Sequence, residues 1–284
     1  MNWSGLDLTA LVFPLILFSA LTHAIYNALI KSAHDKLVAR MLMANFSSLY
    51  LLPMAFLVPL PSDQVWMILG LTAFVHFAYQ MAQITSLHHA DFTFAYPVSR
   101  GSAPLVIAIA APLILGDHVS LWQMAGIVVI SGAILSMALS AKGKSSKGLV
   151  FSILTGLAIA CYTLIDAKGV RLSPDPLTFI IWFFMLDSLV ISTFTLTRHR
   201  QRFKDAVGIE WRRAAINGAL GVCTFTSALL AFRYGNAPVM AAMRESSVLF
   251  AAGIGYLFLG ETLGPRRLTA IAAILAGILI IRVA

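Results

Sequence analysis

Two arginines, Arg100 and Arg244, stand inside long apolar stretches of this sequence. A charged side chain at the centre of a bilayer costs at least about 2.5–3.5 kcal/mol on insertion scales, and such residues face a protein interior or a watery cavity. Each arginine could therefore attract a substrate carboxylate. The alternative is a structural ion pair, for which the sequence offers three acids: Glu245, Asp187 and Asp166.

Two prolines flank the first arginine, Pro97 and Pro104 in the segment FAYPVSRGSAP. Proline removes a backbone donor and kinks a helix, which frees carbonyl groups of the preceding turn. Freed carbonyls at membrane depth are tolerated where they line a cavity or find new partners. The segment could bind an ammonium group or bend during gating. An ordinary kinked helix is the alternative.

A polar face follows from the spacing of four residues in the segment MILGLTAFVHFAYQMAQITSL. His76, Tyr79, Gln80 and Gln83 recur at intervals of three and four, so they share one side of a helix. On a membrane-spanning helix such a side turns away from lipid. It offers a substrate donors, acceptors and a ring, although hydrogen bonding between helices would use the same groups.

Aromatic and acidic residues complete the candidate site. Tyr26 and Asn27 align with Tyr162 and Thr163 as a second repeated pair, and Tyr96 and Trp182 add aromatic surface. An apolar pocket with a few placed polar groups suits amino acids or flat drug-like molecules, while plain packing is the alternative. Asp187 and Glu245 could titrate in a proton-coupled cycle or merely neutralise an arginine.

The composition of the chain excludes a soluble domain. Of its 284 residues, 59% are hydrophobic and only 11% are charged, whereas soluble domains carry about 25% charged residues. The net charge of +8 comes from lysines and arginines in short loops, so it reflects membrane topology and not nucleic-acid binding. The two cysteines lie in separate apolar runs and predict neither a disulfide nor a metal site. We expect no cofactor.

Ten apolar segments are long enough to cross a bilayer, which takes about 20 residues. They cover roughly 8–30, 38–60, 65–87, 93–115, 120–141, 148–169, 176–197, 214–233, 238–259 and 267–283. Only the charged stretch TRHRQRFKDAVGIEWRR makes a longer loop. Because lysine and arginine concentrate in the loops of one side, both termini are predicted to face away from the cytoplasm.

The two halves of the chain repeat each other. Residues 115–139 align with 259–283 at an offset of 144, which also carries Arg100 onto Arg244. Each half, 1–144 and 145–284, holds five spans, and an odd number forces the second half to enter the membrane inverted. We therefore predict an all-α integral membrane protein of ten transmembrane helices, arranged as two inverted five-helix repeats around a central cavity. Such repeats are typical of transporters.

The motif Leu-Gly-Asp at 115–117, with its repeat Leu-Gly-Glu at 259–261, and the small-residue closing helices resemble the EamA family of the drug/metabolite transporter superfamily. The chain is most similar to YddG-type exporters of aromatic and other neutral amino acids. This resemblance implies the bacterial inner membrane and export of small metabolites by alternating access. Asp117 departs from the glutamate that the family more often has.

The predicted function is secondary export of amino acids and related small metabolites, because no phosphate-binding loop for ATP occurs. A multidrug efflux transporter is the alternative, although the two arginines disfavour cations unless Asp187 and Glu245 face the cavity. An intramembrane enzyme is disfavoured because no H-E-x-x-H or G-x-S-x-G motif occurs. The expected partners are a small-molecule substrate and the lipid bilayer. Small-residue faces leave monomer and homodimer both open.

Overall fold

The computed structural model describes residues 10–31, 33–139, 145–259 and 264–284, and all regular structure in these ranges is α-helix. The helices are α1 (Val12–Lys31), α2 (Lys36–Ala55), α3 (Asp63–His89), α4 (Phe92–Ile114), α5 (Leu121–Leu139), α6 (Ser146–Leu172), α7 (Pro176–Arg198), α8 (Arg200–Tyr234), α9 (Ala237–Arg244), α10 (Ser247–Leu259) and α11 (Pro265–Val283). Eight of them, α1 to α8, are long and apolar enough to cross a membrane. The predicted all-helical membrane class is confirmed.

The segment expected to span at 238–259 is interrupted after Arg244. The backbone N–H groups of Glu245 and Ser246 donate to carbonyl groups three residues back, at 3.1 and 3.0 Å. Such bonds tighten the last turn of a helix, and the chain then restarts as α10 at Ser247. The expected single helix is therefore two shorter ones with a turn between them.

Helix α8 begins at Arg200, far before the expected residue 214, so the prediction of a long loop there is wrong. Its charged first part carries apolar side chains at helical spacing. Phe203, Ala206, Val207 and Ala214 pack on the first turns of α2 and the end of α7. The charged residues of this stretch occupy the other sides of the helix, which is the pattern of an amphipathic helix.

One end of the bundle is held together around Asp35, and we call it the Asp35 end. The buried Glu210 of α8 accepts hydrogen bonds from the backbone N–H groups of His34 (2.6 Å) and Asp35 (3.3 Å). Arg202 donates twice to the Asp35 carboxylate, at 2.7 and 2.9 Å. These contacts join the end of α1 and the start of α2 to the start of α8.

The opposite end is held together around Asp117, and we call it the Asp117 end. The Arg171 guanidinium donates two hydrogen bonds of 2.8 Å to the Asp117 carboxylate and one of 2.7 Å to the Gly235 carbonyl. Asp117 also accepts from the Ala237 N–H at 2.7 Å. Arg233 donates to carbonyls at the end of α6. This network ties the ends of α4, α6 and α8 to the start of α9. Glu261, the expected counterpart of Asp117, lies outside the described residues.

Helices α5 and α11 approach each other through glycine. A Cβ on Gly126 would lie 2.8 Å from the Gly277 carbonyl oxygen, and one on Gly277 would lie 2.9 Å from the Gly126 carbonyl oxygen. The small-residue segments of the sequence thus let two helix backbones touch, as is common between membrane helices.

Candidate substrate cavity

A cavity of about 1070 Å³ lies between helices of both halves of the chain. Its wall is formed by α1 to α6 together with α8, α10 and α11. It extends to the Asp35 end, where Lys36, Arg266 and Arg267 line it. None of the residues tied together at the Asp117 end belongs to its lining. The cavity therefore opens toward the Asp35 end.

The structure places eight of the sequence-predicted residues around this cavity. The predicted polar face of α3 lines it in full, and helices α1 and α4 contribute the rest. The eight are His76, Tyr79, Gln80, Gln83, Tyr26, Asn27, Tyr96 and Pro97.

The other predicted residues do not line the cavity. Trp182 packs edge-to-face on Trp66, with ring centroids 4.9 Å apart. Pro104 is buried in α4, which runs without a break through both prolines. The remaining four, Arg100, Arg244, Asp187 and Glu245, form or adjoin buried ion pairs.

Two ion pairs connect the halves of the protein within the bundle. Arg100 donates from Nε to Glu245 at 3.1 Å and contacts the Ser247 hydroxyl at 3.4 Å. Arg40 donates from Nη2 to Asp187 at 3.0 Å, and all four charged residues are largely buried. Arg100 could have bound a substrate carboxylate or formed a structural ion pair, and in the structure it forms the ion pair.

Arg244 has no such partner. Only 6% of this residue is exposed, and its Nε and Nη2 have no hydrogen-bond partner among the described residues. Its guanidinium lies 5.2 Å from the centroid of the Phe225 ring, a cation–π contact. Phe225 lines the cavity. A buried cation with unused donors therefore lies directly behind the cavity wall.

A histidine and an acid form a third buried pair across the two halves. His76 Nε2 lies 3.0 Å from one Asp166 carboxylate oxygen, and the Thr72 hydroxyl donates to the other. The His76 ring stacks on Tyr162, with centroids 4.1 Å apart, and contacts Phe183 edge-on at 4.9 Å. His76 and Asp166 are only 1% and 2% exposed.

Outside the membrane-spanning segments, the Asp35 carboxylate has a shifted pKa. Partial burial raises the pKa of Asp35, but hydrogen bonds from Arg202 and from the backbone N–H groups of Val38 and Leu37, with the Arg202 charge, lower it more. The net pKa of Asp35 lies below its usual range, so the carboxylate stays charged at neutral pH.

Sequence reasoning missed three residues that the structure brings to the site. Arg40 was not among the predicted site residues, although it lines the cavity and neutralises Asp187. His23 lines the cavity next to the Tyr26 ring. Asp166 was weighed only as a partner of an arginine. A signal for Arg40 existed, because a lone acid such as Asp187 within a span requires a cation.

The sequence model of the EamA-like transporter family matches this chain twice, over residues 11–139 and 146–283. The chain belongs to the EamA-like transporter family. It is therefore a membrane transporter of the drug/metabolite transporter superfamily, a class of proteins that is not enzymatic.

Two further comparisons give one relative and one fold. This EamA-like transporter is 28% identical over 211 residues to the uncharacterized protein PA1977 of Pseudomonas aeruginosa, and the match covers 69% of each chain. A solved crystal structure superposes with a TM-score of 0.76 over 97% of this chain and 98% of its own. The sequences share 16% identity, so this second likeness shows the fold alone.

Proposed function

We propose that this EamA-like transporter exports neutral amino acids, above all aromatic ones, and related small metabolites across the bacterial inner membrane. The observation that carries the proposal is Arg244, a buried guanidinium with two unused donors behind the cavity wall. The YddG-type resemblance of the sequence points to the same substrates.

A carboxylate is the ligand that the Arg244 environment lacks. Leaving a buried donor unpaired costs about 1–3 kcal/mol, and more when the group is charged. Arginine and carboxylate form short, often bidentate hydrogen bonds. A substrate carboxylate that displaces the Phe225 ring would reach both free nitrogens. The alternative acid, Glu245, follows Arg244 in the chain but pairs with Arg100.

The rest of the cavity suits an aromatic side chain. Aromatic residues and amides both line its wall, which combines apolar surface with hydrogen-bonding groups, as in pockets for amphipathic small molecules. The relevant lining residues are Tyr26, Asn27, Tyr79, Gln83, Tyr96, Tyr162 and Phe225.

Alternating access between two inverted five-helix repeats, residues 1–144 and 145–284, is the mechanism we propose. The ninth of ten spans would be α9 and α10 together. The two matches of one family model, each to one half, support the repeat. So do the helix ends: α1 ends at the Asp35 end, whereas its counterpart α6 ends at the Asp117 end. The packing of the helices supports the repeat too. In the proposed repeat α6 corresponds to α1 and α8 corresponds to α3, and the structure packs α1 on α8 and α3 on α6.

The side of the membrane follows from the loop charges. Lysines and arginines concentrate at the Asp35 end, which we assign to the cytoplasm. Both termini would then lie on the opposite side. A cavity open at the Asp35 end corresponds to an inward-facing state that loads substrate from the cytoplasm.

Flux of labelled neutral amino acids into proteoliposomes tests the proposal, with wild type, Arg244→Ala and the control Arg198→Ala. Arg198 is an exposed arginine at the end of α7. A hydrogen bond to a charged group contributes about 1.5–3 kcal/mol, so loss of Arg244 should lower flux roughly 10- to 150-fold. The control should transport like wild type.

Multidrug efflux remains the competing outcome of this experiment. An aromatic cation would need a free carboxylate at the cavity, but Asp187 and Glu245 are each paired with an arginine and do not line it. Wild-type flux of an ethidium-like cation, with none of any neutral amino acid, would refute our proposal.

A further inference from the structure

Asp166 differs from Asp187 and Glu245, the two other acids buried among the helices near the cavity. Asp187 and Glu245 each contact an arginine, at 3.0 and 3.1 Å. In the part of the chain that the structure describes, no lysine or arginine forms an ion pair with Asp166, whose side-chain partners are Thr72 and His76. A buried carboxylate without a cation is costly. The charge of this pair therefore depends on whether His76 carries a second proton.

The hydrogen bonds indicate where that proton would go. The Asp166 carboxylate only accepts, so the nitrogen facing it, His76 Nε2, is assigned as the N–H donor. His76 Nδ1 is then the basic nitrogen. Uptake of a proton from cavity water forms an Nδ1–H bond and an imidazolium beside the carboxylate, and release returns the proton to water. No other bond forms or breaks.

Cavity water and substrate reach this pair by the same route. His76 and Tyr162, the ring on which it stacks, both line the cavity, whereas Asp166 lies behind them. The pair is thus a buried charge site with one face toward the substrate space.

A proton on His76 would neutralise the charge of Asp166. Without that proton, the Asp166 carboxylate has no cation beside it, whereas Asp187 and Glu245 are each paired with an arginine. Opposite charges attract strongly where water is excluded, so the unprotonated pair favours a substrate ammonium group in this cavity and the protonated pair does not. The titratable groups in contact with His76 are Asp166 and Tyr162, both of α6. Tyr162 in turn lies within electrostatic range of Tyr79 (α3), Arg100 (α4) and Arg244 (α9), and α7 contributes the uncharged Phe183 to the His76 ring. Helix α8 contributes the uncharged Phe225.

We propose that the His76–Asp166 pair is the binding site of a coupling proton, which is exchanged for the substrate during export. The inference rests on the proposed function in assuming that an amino acid with an ammonium group uses this cavity. Mutual exclusion of proton and substrate at one site produces exchange, because each must leave before the other binds.

The test uses purified full-length protein in proteoliposomes with and without a pH gradient. For one proton exchanged per substrate, each pH unit should drive about tenfold accumulation in the wild type. His76→Gln and Asp166→Asn should both abolish this accumulation, and Asp166→Asn, which lies behind the cavity wall, should still exchange labelled for unlabelled amino acid. His88→Gln removes an exposed imidazole near the end of the same helix and should behave like wild type. Wild-type amino-acid flux that ignores the gradient, or an unaltered response in both variants, would overturn the proton site.

A second measurement needs no substrate. Infrared titration of the purified protein should show carboxylate and imidazole bands that change with pH in wild type and are lost in His76→Gln and in Asp166→Asn. Size-exclusion profiles show whether each variant is folded. If His76→Gln does not fold, the comparison is made with Asp166→Asn alone. A wild type whose titration matches that of both variants would refute the proton site. If the pH-dependent bands are lost in the variants but the wild type transports no amino acid, the proton site is supported and the proposed substrate is refuted.

Discussion

Single charged residues in this bundle are stabilised by partners from the other half of the chain. Arg100 and Glu245 illustrate this, since neither has another acid or base within ion-pair distance among the described residues. An unpaired buried charge is worse than none, because its desolvation is then uncompensated. Removing one partner should therefore harm stability more than removing both.

We expect Glu245→Ala to destabilise the protein by about 3–5 kcal/mol, the range for breaking a buried ion pair. The double variant Arg100→Met/Glu245→Leu should recover most of this loss, since it leaves no unpaired charge. Thermal unfolding of the detergent-purified proteins measures both. A double variant less stable than Glu245→Ala alone would show that the pair contributes more than the neutralisation of charge.

The Asp35–Arg202 contact should give the protein an acid-dependent stability. The pKa of Asp35 is lowered by folding, so its contribution is complete above the unfolded pKa and is lost as the pH falls through the folded pKa. Arg202 is half exposed, which limits the effect to about 1 kcal/mol or less. Unfolding temperatures of Asp35→Asn should depend less on pH below about 4 than those of wild type. Asp205→Asn, at an exposed position, should retain the wild-type dependence.

At the scale of helices, contact between backbones decides the packing of α5 on α11. A Cβ at Gly126 would lie 2.6 Å from an Ile281 side-chain carbon and 2.8 Å from the Gly277 oxygen, whereas one at Gly132 would meet nothing within 4 Å. These two positions of one helix form a matched pair for substitution.

Gly126→Ala should destabilise the protein by about 1–3 kcal/mol, because the two backbones cannot separate without losing their other contacts. Gly132→Ala should be neutral or slightly stabilising, since alanine is the better helix former. Thermal unfolding in detergent compares the two. Equal unfolding temperatures for both variants would mean that α5 and α11 are free to shift apart.

The sequence predicted the helices and the polar face of α3 because both depend on local spacing. His76 to Gln83 recur at helical intervals, and the structure turns them all toward one cavity. The sequence left open whether Arg100 pairs with Glu245, with another acid or with a substrate, since that contact depends on how the two halves meet. The early start of α8 was missed for another reason. Charge was taken to indicate a loop, although Phe203, Ala206, Val207 and Ala214 repeat at helical spacing.

At the scale of the whole molecule, the two ends of the bundle differ. The cavity opens at the Asp35 end, while hydrogen bonds of Asp117, Arg171 and Arg233 tie the helices together at the other. In the alternating access proposed above, these bonds would break when the cavity opens at the Asp117 end.

Cysteine labelling should detect this asymmetry. Asn27→Cys, in a background with Cys161 and Cys223 replaced by serine, places a thiol on the cavity wall. A membrane-impermeant maleimide should label it from the cytoplasmic side and only weakly from outside. Adding Asp117→Asn should raise labelling from outside by weakening the Asp117 end. Lys147→Cys, at an exposed position near the start of α6, controls for sidedness. Equal wild-type labelling from both sides would contradict an inward-open state.

The ion pairs also set an order of events during biosynthesis. All five pairs among the described residues join a residue before 140 to one after 145. Arg100 leaves the ribosome 145 residues before Glu245, which at about 5–20 residues per second is a delay of roughly 7–30 s. During that time the amino-terminal half lies in the bilayer with its buried charges unmatched. Its buried ion pairs can form only after the second half has entered the membrane.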